Sequence, residues 1–152
     1  MSAEKKLKDL GINLPTPSPP IANYVRAVRA GNLLFVSGHG SYNNGKIKMA
    51  GKVGRELTVE EGYQVARNVG LNCLATAKAT LRDLDKVKRV VKVLGMVHCT
   101  EDFKDHPKVI NGCSDLLVEV FGEIGKHARS AVGMQALPNG IPVEIEMILE
   151  VA

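Results

Sequence analysis

The chain has 152 residues, enough for one domain with a single hydrophobic core, and its 45% hydrophobic and 24% charged residues exclude general disorder. It carries 20 basic and 16 acidic residues, but the lysines are dispersed without an interleaved aromatic series, which argues against a nucleic-acid partner. Three cysteines without CxxC spacing, no signal-like leader and no apolar run near the ~20 residues of a membrane span predict a reduced, cytoplasmic protein.

The first 20 residues are predicted to form a proline-rich leader, and residues 21–152 to form the folded domain. Four prolines within 15–20 remove backbone donors and favour an extended path. We expect the leader either to lie against the domain or to be mobile.

A hairpin pattern opens the domain. Residues 24–29 predict a strand, and a turn at 30–32 leads to a second strand over 33–38. The second run is almost wholly apolar, as in a strand that is buried on both faces. Residues 43–45 predict another turn, followed by a shorter strand over 46–49.

Two helices separated by a strand are predicted next. Thr58 and Glu61 have the spacing of a capping box, which opens a helix to about Leu81. Small residues recur along it at steps of three and four, so Cys73 is expected in the core. Residues 85–99 predict a strand with one wet and one buried face. A second helix is predicted from Pro107, capped by Asp105 or His106, to Gly122 or Gly125.

Two further strands, over 130–136 and 142–151, close the chain. The predicted order is therefore β-β-β-α-β-α-β-β. This order is typical of an α+β domain in which two helices pack on one face of a mixed sheet.

Arg129 and Glu144 are the candidate functional pair. Arg129 lies in a bend of small residues that opens one strand, and Glu144 lies on the next strand, after a turn at 137–140. A guanidinium can bind a carboxylate through two parallel hydrogen bonds, and a nearby carboxylate can move protons. The pattern indicates a site for a small anionic metabolite. The alternative is that Arg129 is an ordinary surface residue and Glu144 a solvated strand position.

Four segments resemble the RidA family, also called the YjgF or reactive intermediate deaminase family. They are Ala-Gly-Asn-Leu-Leu-Phe-Val-Ser-Gly at 30–38, Ala-Arg-Ser at 128–130, Leu-Pro at 137–138 and Val-Glu-Ile-Glu at 143–146. The resemblance runs from about Tyr24 to the C-terminus. It implies a chorismate-mutase-like fold, a homotrimer with ligand sites in clefts between subunits, and hydrolysis of enamines and imines released by pyridoxal-phosphate enzymes.

The resemblance also implies roles for individual residues. Arg129 matches the arginine that binds the substrate carboxylate, and Glu144 matches the glutamate that orients or deprotonates the attacking water. Tyr24 and Ser37 match residues lining the cleft, and Gly38 matches the glycine beside the ligand. The alternatives are that Tyr24 packs a subunit interface with its hydroxyl bonded, and that Ser37 satisfies a local backbone group.

The chain departs from the family pattern at several positions. Ala131 replaces the usual cysteine two residues after the arginine, a position thought to act through its backbone. His39 replaces a glutamine after Ser-Gly, and both Ala131 and His39 are expected beside the ligand. His127 replaces a proline, and residues 112–115 form an unfamiliar patch. For both histidines, an ordinary hydrogen-bonded role is the alternative. No base stands at a recognisable spacing from Cys99 or Cys113, so no thiol nucleophile is expected.

Three functions are compatible with these residues. The first is hydrolysis of 2-imino or 2-enamino acids to 2-oxo acids and ammonia at clefts between subunits. The second, suggested by Ala131 and His39, is a trimer that binds small carboxylates without turnover, as a regulator. The third is an endoribonuclease, supported here only by the sequence pI near 9.0. No metal-ligand cluster is visible, and neither a metal nor a cofactor is expected.

Overall fold

The computed structural model describes residues 2–17, 19–20, 22–43, 45–47 and 49–152. Asn44, in the predicted turn, and Lys48, in the predicted short strand, lie outside the described residues. The helices and strands follow one another as α1 (Ala3–Asp9), β1 (Ala27–Ala30), β2 (Leu33–His39), β3 (Tyr42–Asn43), β4 (Lys46–Ile47), α2 (Val59–Leu81), β5 (Val87–His98), α3 (His106–Phe121), β6 (Ala128–Met134) and β7 (Val143–Val151).

Five strands form the central sheet, in the order β1-β2-β7-β5-β6. Strands β5 and β6 run parallel, and the other neighbouring pairs run antiparallel. Strands β3 and β4 form a separate two-stranded ribbon. The predicted α+β domain with a mixed sheet is therefore confirmed, and β6 lies at an edge of the sheet.

Helices α2 and α3 pack on each other and on one face of the sheet. The capping box of Thr58 and Glu61 is present at the start of α2, and Cys73 is fully buried, as predicted. The two helices approach closely at Gly112 of α3. A Cβ atom at this position would lie 2.0 Å from the backbone oxygen of Tyr63 on α2, so only glycine fits without a shift of the backbone.

The opposite face of the sheet is not covered by the described residues. On β2, Leu34 is fully buried under the helices, but Phe35 is 42% exposed on the other face. Val28 and Val132 are exposed as well. The expectation that residues 33–38 are buried on both faces is therefore wrong for the single chain, because helices cover one face only.

The leader contains a helix, α1, that the sequence analysis did not predict. The Glu4 carboxylate accepts hydrogen bonds from Lys78 Nζ at 2.7 Å and from the Leu84 N–H at 3.0 Å. The Ser2 hydroxyl donates to Asp85 at 2.7 Å, and Leu7 is buried in the core. Seven residues are too few for a stable isolated helix, so these tertiary contacts are what stabilise α1.

Strand β1 begins at Ala27, three residues later than predicted, so that Tyr24 precedes the sheet. Within the described part of the chain, no helix is both long enough and apolar enough to cross a membrane. The cytoplasmic location stays a prediction, as does the domain boundary at residue 20.

Candidate functional site

A cleft of about 750 Å³ opens where the end of β2 meets the start of β7. Three of the site residues expected from the sequence line it together: Tyr24, Gly38 and Glu144. Pro17 and Pro19 of the leader form part of its wall. The structure thus brings residues from three separate segments of the chain into one concave surface.

Glu144 is half-buried in this cleft. Burial, and secondarily the negative charge of Glu146, raises the pKa of its carboxyl. No cation lies within ion-pair distance of Glu144 among the described residues. A carboxyl in this environment is suited to exchange protons closer to neutral pH than an exposed glutamate.

Gly38 allows the Glu144 carboxylate to lie over β2. A Cβ atom at position 38 would lie 2.5 Å from Glu144 Oε2 and 3.1 Å from its Cδ. Any other residue would force this carboxylate to move. The glycine therefore has a steric role in the cleft, in keeping with its expected place beside a ligand.

Arg26 is a residue of the cleft that the sequence analysis did not single out. Its guanidinium lies 5.7 Å from the centre of the Tyr24 ring, and its Nη2 donates to the Pro19 carbonyl at 3.0 Å. Side chains two residues apart in an extended chain lie on the same side. The two-residue spacing between Tyr24 and Arg26 is therefore the sequence signal that could have identified Arg26. Tyr24 itself is 41% exposed, which is compatible with its predicted place in the cleft and with packing at a subunit interface.

The hydrogen bonds of Ser37 and His39 argue against direct contact of these side chains with a ligand. The Ser37 hydroxyl donates to the Val25 carbonyl at 2.7 Å, which favours the alternative that it satisfies a local backbone group. His39 is 6% exposed, and its ring nitrogens lie 2.8 Å from Thr76 Oγ1 and 2.5 Å from the Ser37 carbonyl. Burial lowers its pKa. The hydrogen-bonded alternative is favoured for His39 as well.

Arg129 lies on the edge strand β6, opposite Val93 of β5, and faces helix α3. Its Nη1 donates to Asn111 Oδ1 at 2.8 Å and to Ser114 Oγ at 3.2 Å. The side chain is half-buried, and no carboxylate of the described residues forms an ion pair with it. Ala131 follows on the same side of the strand and is partly buried.

One chain does not bring Arg129 and Glu144 together. Arg129 faces the helices, whereas Glu144 lies on the other face, since its neighbour Ile145 is fully buried on the helix side. Strand β5 separates them, with Arg129 opposite Val93 and Glu144 opposite Met96. Arg129 and Glu144 are separated by two strand spacings across the sheet and by three residues along the strands, which is roughly 10 Å in each direction. Both side chains can meet one small ligand only if they come from different chains.

The cysteines are buried. Contrary to the sequence analysis, a base lies near Cys99, because its Sγ is 3.4 Å from His106 Nε2. Burial raises the pKa of the Cys99 thiol and raises that of Cys113 to about 12. Both environments favour the protonated thiol, which is a poor nucleophile.

Comparison with known proteins gives a consistent result. The model of the family described as "YjgF/chorismate mutase-like, putative endoribonuclease" matches residues 4–143. Protein TCP17 of Trypanosoma cruzi is 44% identical over 145 residues, which cover 95% of this chain and 91% of that protein. A RutC family protein of Pyrococcus horikoshii is 32% identical over 129 residues, which cover 85% of this chain and 87% of that protein.

Solved structures show the same fold. A protein of unknown function from Agrobacterium tumefaciens is 44% identical with a TM-score of 0.91, over 99% of this chain and 92% of that one. RidA from an Antarctic Psychrobacter species is 28% identical with a TM-score of 0.61, over 91% of this chain and 96% of that one.

Proposed function

The chain belongs to the YjgF/chorismate mutase-like family, also called the RidA/YjgF family, and from this membership we propose that it hydrolyses 2-imino or 2-enamino acids to 2-oxo acids and ammonia. The observation that carries the proposal is the Glu144 carboxyl, which is half-buried in a cleft of about 750 Å³ and has a raised pKa. Such a group can act as a base and then as an acid in one reaction cycle.

The proposed chemistry needs one water and no redox partner. Glu144 removes a proton from a water molecule as that water adds to the carbon of the C=N bond. Glu144 passes this proton to the nitrogen, which gives the neutral carbinolamine. As the carbinolamine collapses to a ketone, Glu144 takes the hydroxyl proton and delivers it to the departing nitrogen, which leaves as ammonia. An enamine enters the same route after it tautomerises to the imine.

Arg129 is proposed as the anchor for the substrate carboxylate. Because one chain keeps Arg129 and Glu144 apart, the complete site would combine Arg129 of one subunit with Tyr24, Gly38 and Glu144 of its neighbour. The sheet face that exposes Phe35 supports self-association, since apolar patches of this kind mark interaction surfaces. We propose a homotrimer, and the number three comes from the family resemblance alone.

A second candidate is a trimer that binds small carboxylates without turnover. Ala131 favours it, because this chain lacks the cysteine that the family pattern places two residues after the anchor arginine. The fixation of Arg129 by Asn111 and Ser114 is equally compatible with this function, since it organises an anion site before a ligand arrives. A direct assay of turnover separates the two candidates.

The deciding experiment measures ammonia release from freshly generated 2-aminoacrylate. We expect the wild-type protein to accelerate release, Glu144→Gln to lower kcat by roughly 100-fold or more, and Arg129→Lys to raise KM about tenfold. Glu150→Gln is the matched control, since Glu150 lies on the same strand and face at a distance from the cleft. It should retain wild-type rates.

Other outcomes separate the alternatives. Release at the uncatalysed rate for every variant contradicts the deaminase. Tight calorimetric binding of 2-oxobutyrate without turnover supports the binding trimer instead. Cleavage of RNA in EDTA that is lost in Glu144→Gln would establish the endoribonuclease named in the family's description.

A further inference from the structure

Two departures from the family pattern, Ser114 and His127, lie in contact beside Arg129. Ser114 Oγ is 2.9 Å from His127 Nε2, and His127 Nδ1 is 2.6 Å from the Gly125 carbonyl. On its other side, Ser114 Oγ is 3.2 Å from Arg129 Nη1. Ser114 is 13 positions from His127 and 15 from Arg129 in the chain, and the three residues form one continuous hydrogen-bonded relay.

The directions of these hydrogen bonds follow from the groups involved. A carbonyl only accepts, so His127 Nδ1 carries a proton and donates to Gly125. In the neutral ring, Nε2 is then an acceptor, and the Ser114 hydroxyl donates to it. The guanidinium only donates, so the Ser114 oxygen accepts from Arg129 Nη1. Every member of the relay is satisfied when His127 is neutral.

The surroundings favour the neutral ring. Burial lowers the pKa of His127, and the positive charge of Arg129 lowers it further, against the Gly125 hydrogen bond, which raises it. Other charged groups nearby are paired elsewhere. On α3, the Asp115 carboxylate accepts from Tyr63 at 2.6 Å, and in the turn before β6, Glu123 pairs with Lys126 at 2.8 Å.

Two more titratable side chains belong to elements packed around the relay. Cys113 precedes Ser114 on α3 and is fully buried as a thiol. Lys92 of β5 donates to Ser130 Oγ at 3.4 Å, on the face of the sheet opposite to Arg129. Among the described residues, Arg129 is thus the charged side chain that shifts the pKa of His127.

We infer that Ser114 and His127 are positioning residues of the Arg129 site, and that binding of a ligand carboxylate to Arg129 is coupled to proton uptake by His127. The inference rests on the proposed role of Arg129 as a carboxylate anchor. Asn111 and Ser114 hold one terminal nitrogen of the guanidinium in place, so less side-chain entropy is lost when a carboxylate binds.

The coupling has an electrostatic cause. A bound carboxylate compensates the charge of Arg129, which otherwise opposes a second cation two residues away. Protonation of His127 then becomes less costly. The Ser114 hydroxyl proton rotates away from the ring, and the Nε2–H of His127 donates to the Ser114 oxygen, which also accepts from Arg129. Linkage is reciprocal, so a ligand that raises the pKa of His127 must itself bind more tightly when His127 is protonated.

The sign of the pH dependence follows. The pKa of His127 is lower in the free protein than in the complex. Affinity for a carboxylate therefore rises as pH falls through the window between these two values, and it levels off outside the window. For charges several ångströms apart in a partly solvated site, the expected change is roughly three- to tenfold in Kd.

The experiment is calorimetric titration with 2-oxobutyrate between pH 5 and 8, in buffers of different ionisation enthalpy, with His127 followed by NMR. The wild type should take up protons on binding. His127→Gln keeps an acceptor for Ser114 but cannot titrate, so its Kd should be independent of pH in this range. Ser114→Ala should bind about tenfold more weakly. His106→Gln removes a histidine from α3, the helix that carries Ser114, and is the control that should keep the wild-type pH dependence.

The results distinguish this inference from the proposed function. Binding by the wild type without proton uptake overturns the coupling and leaves the carboxylate site intact. If the wild type does not bind 2-oxobutyrate, the binding trimer is contradicted, ammonia release decides the deaminase separately, and the relay is then tested without ligand. In that test Arg129→Gln should raise the pKa of His127, and an unchanged pKa overturns the coupling.

Discussion

Replacing Gly38 by alanine tests whether the position of the Glu144 carboxylate matters for activity. The new Cβ would lie 2.5 Å from Glu144 Oε2, whereas ordinary contacts begin at 3.4 Å, so the carboxylate must move by about 1 Å. The atom that gives way is the end of a flexible side chain, so the fold should tolerate the change. A displacement of this size at a reacting group can cost ~100-fold in rate.

We therefore expect Gly38→Ala to lower kcat/KM for 2-aminoacrylate by about 100-fold, with little change in the thermal unfolding midpoint. Ammonia release measures the first quantity, and circular dichroism measures the second. NMR of the Glu144 carboxyl adds a readout that does not depend on turnover, because a carboxylate pushed out of the cleft should lose part of the burial that raises its pKa.

A double-mutant cycle supplies the control. Glu144→Ala removes the atoms that the new methyl group would meet, so adding Gly38→Ala to it should have almost no further effect. Additive losses in the cycle would show that Gly38 acts independently of Glu144. Wild-type activity in Gly38→Ala, together with a large loss in Glu144→Gln, would refute the steric reasoning.

Three predictions concern stability. Thr58→Ala removes the capping box of α2 and should lower the free energy of unfolding by about 1 kcal/mol, measured by urea denaturation, with an unchanged midpoint as the contrary result. Gly112→Ala places a methyl group 2.0 Å from the Tyr63 carbonyl oxygen, so it should cost about 3 kcal/mol or more, seen as a markedly lower melting temperature. The raised pKa of Glu144 means that the folded state holds its proton to higher pH than the unfolded chain. Stability should therefore fall as pH rises from the unfolded pKa of the glutamate through its folded pKa, and urea midpoints of Glu144→Gln should lack this fall.

Local patterns in the sequence predicted the element types well. The capping box of Thr58 and Glu61 marks the start of α2, and the stripe that includes Cys73 is buried along it. These features depend on residues three or four apart, which interact within the helix itself. Strand β1 shows the limit of this reasoning, since its pairing with β2 begins only at Ala27 and leaves Tyr24 outside the sheet.

The orientation of His39 depends on a non-local irregularity. Strict alternation from Leu34 places His39 on the open face with Phe35, but the pairing of β2 with β7 shifts register between Val36 and His39. One extra residue in a strand exchanges its two faces, so His39 turns toward Thr76 under the helices. The same shift leaves Gly38 beside the carboxylate of Glu144. Periodicity alone contains no signal for such a bulge.

The sequence by itself determined the family, the α+β class and the order of the elements from α2 to β7, and it singled out Arg129 and Glu144 as the candidate pair. Only the tertiary structure decided how these groups are arranged, because strand order and register arise from contacts between distant segments. Insertion of β7 between β2 and β5 sets Glu144 beside Gly38 and two strands away from Arg129. Packing of α3 against β6 brings Ser114 into contact with both the Arg129 guanidinium and the His127 ring.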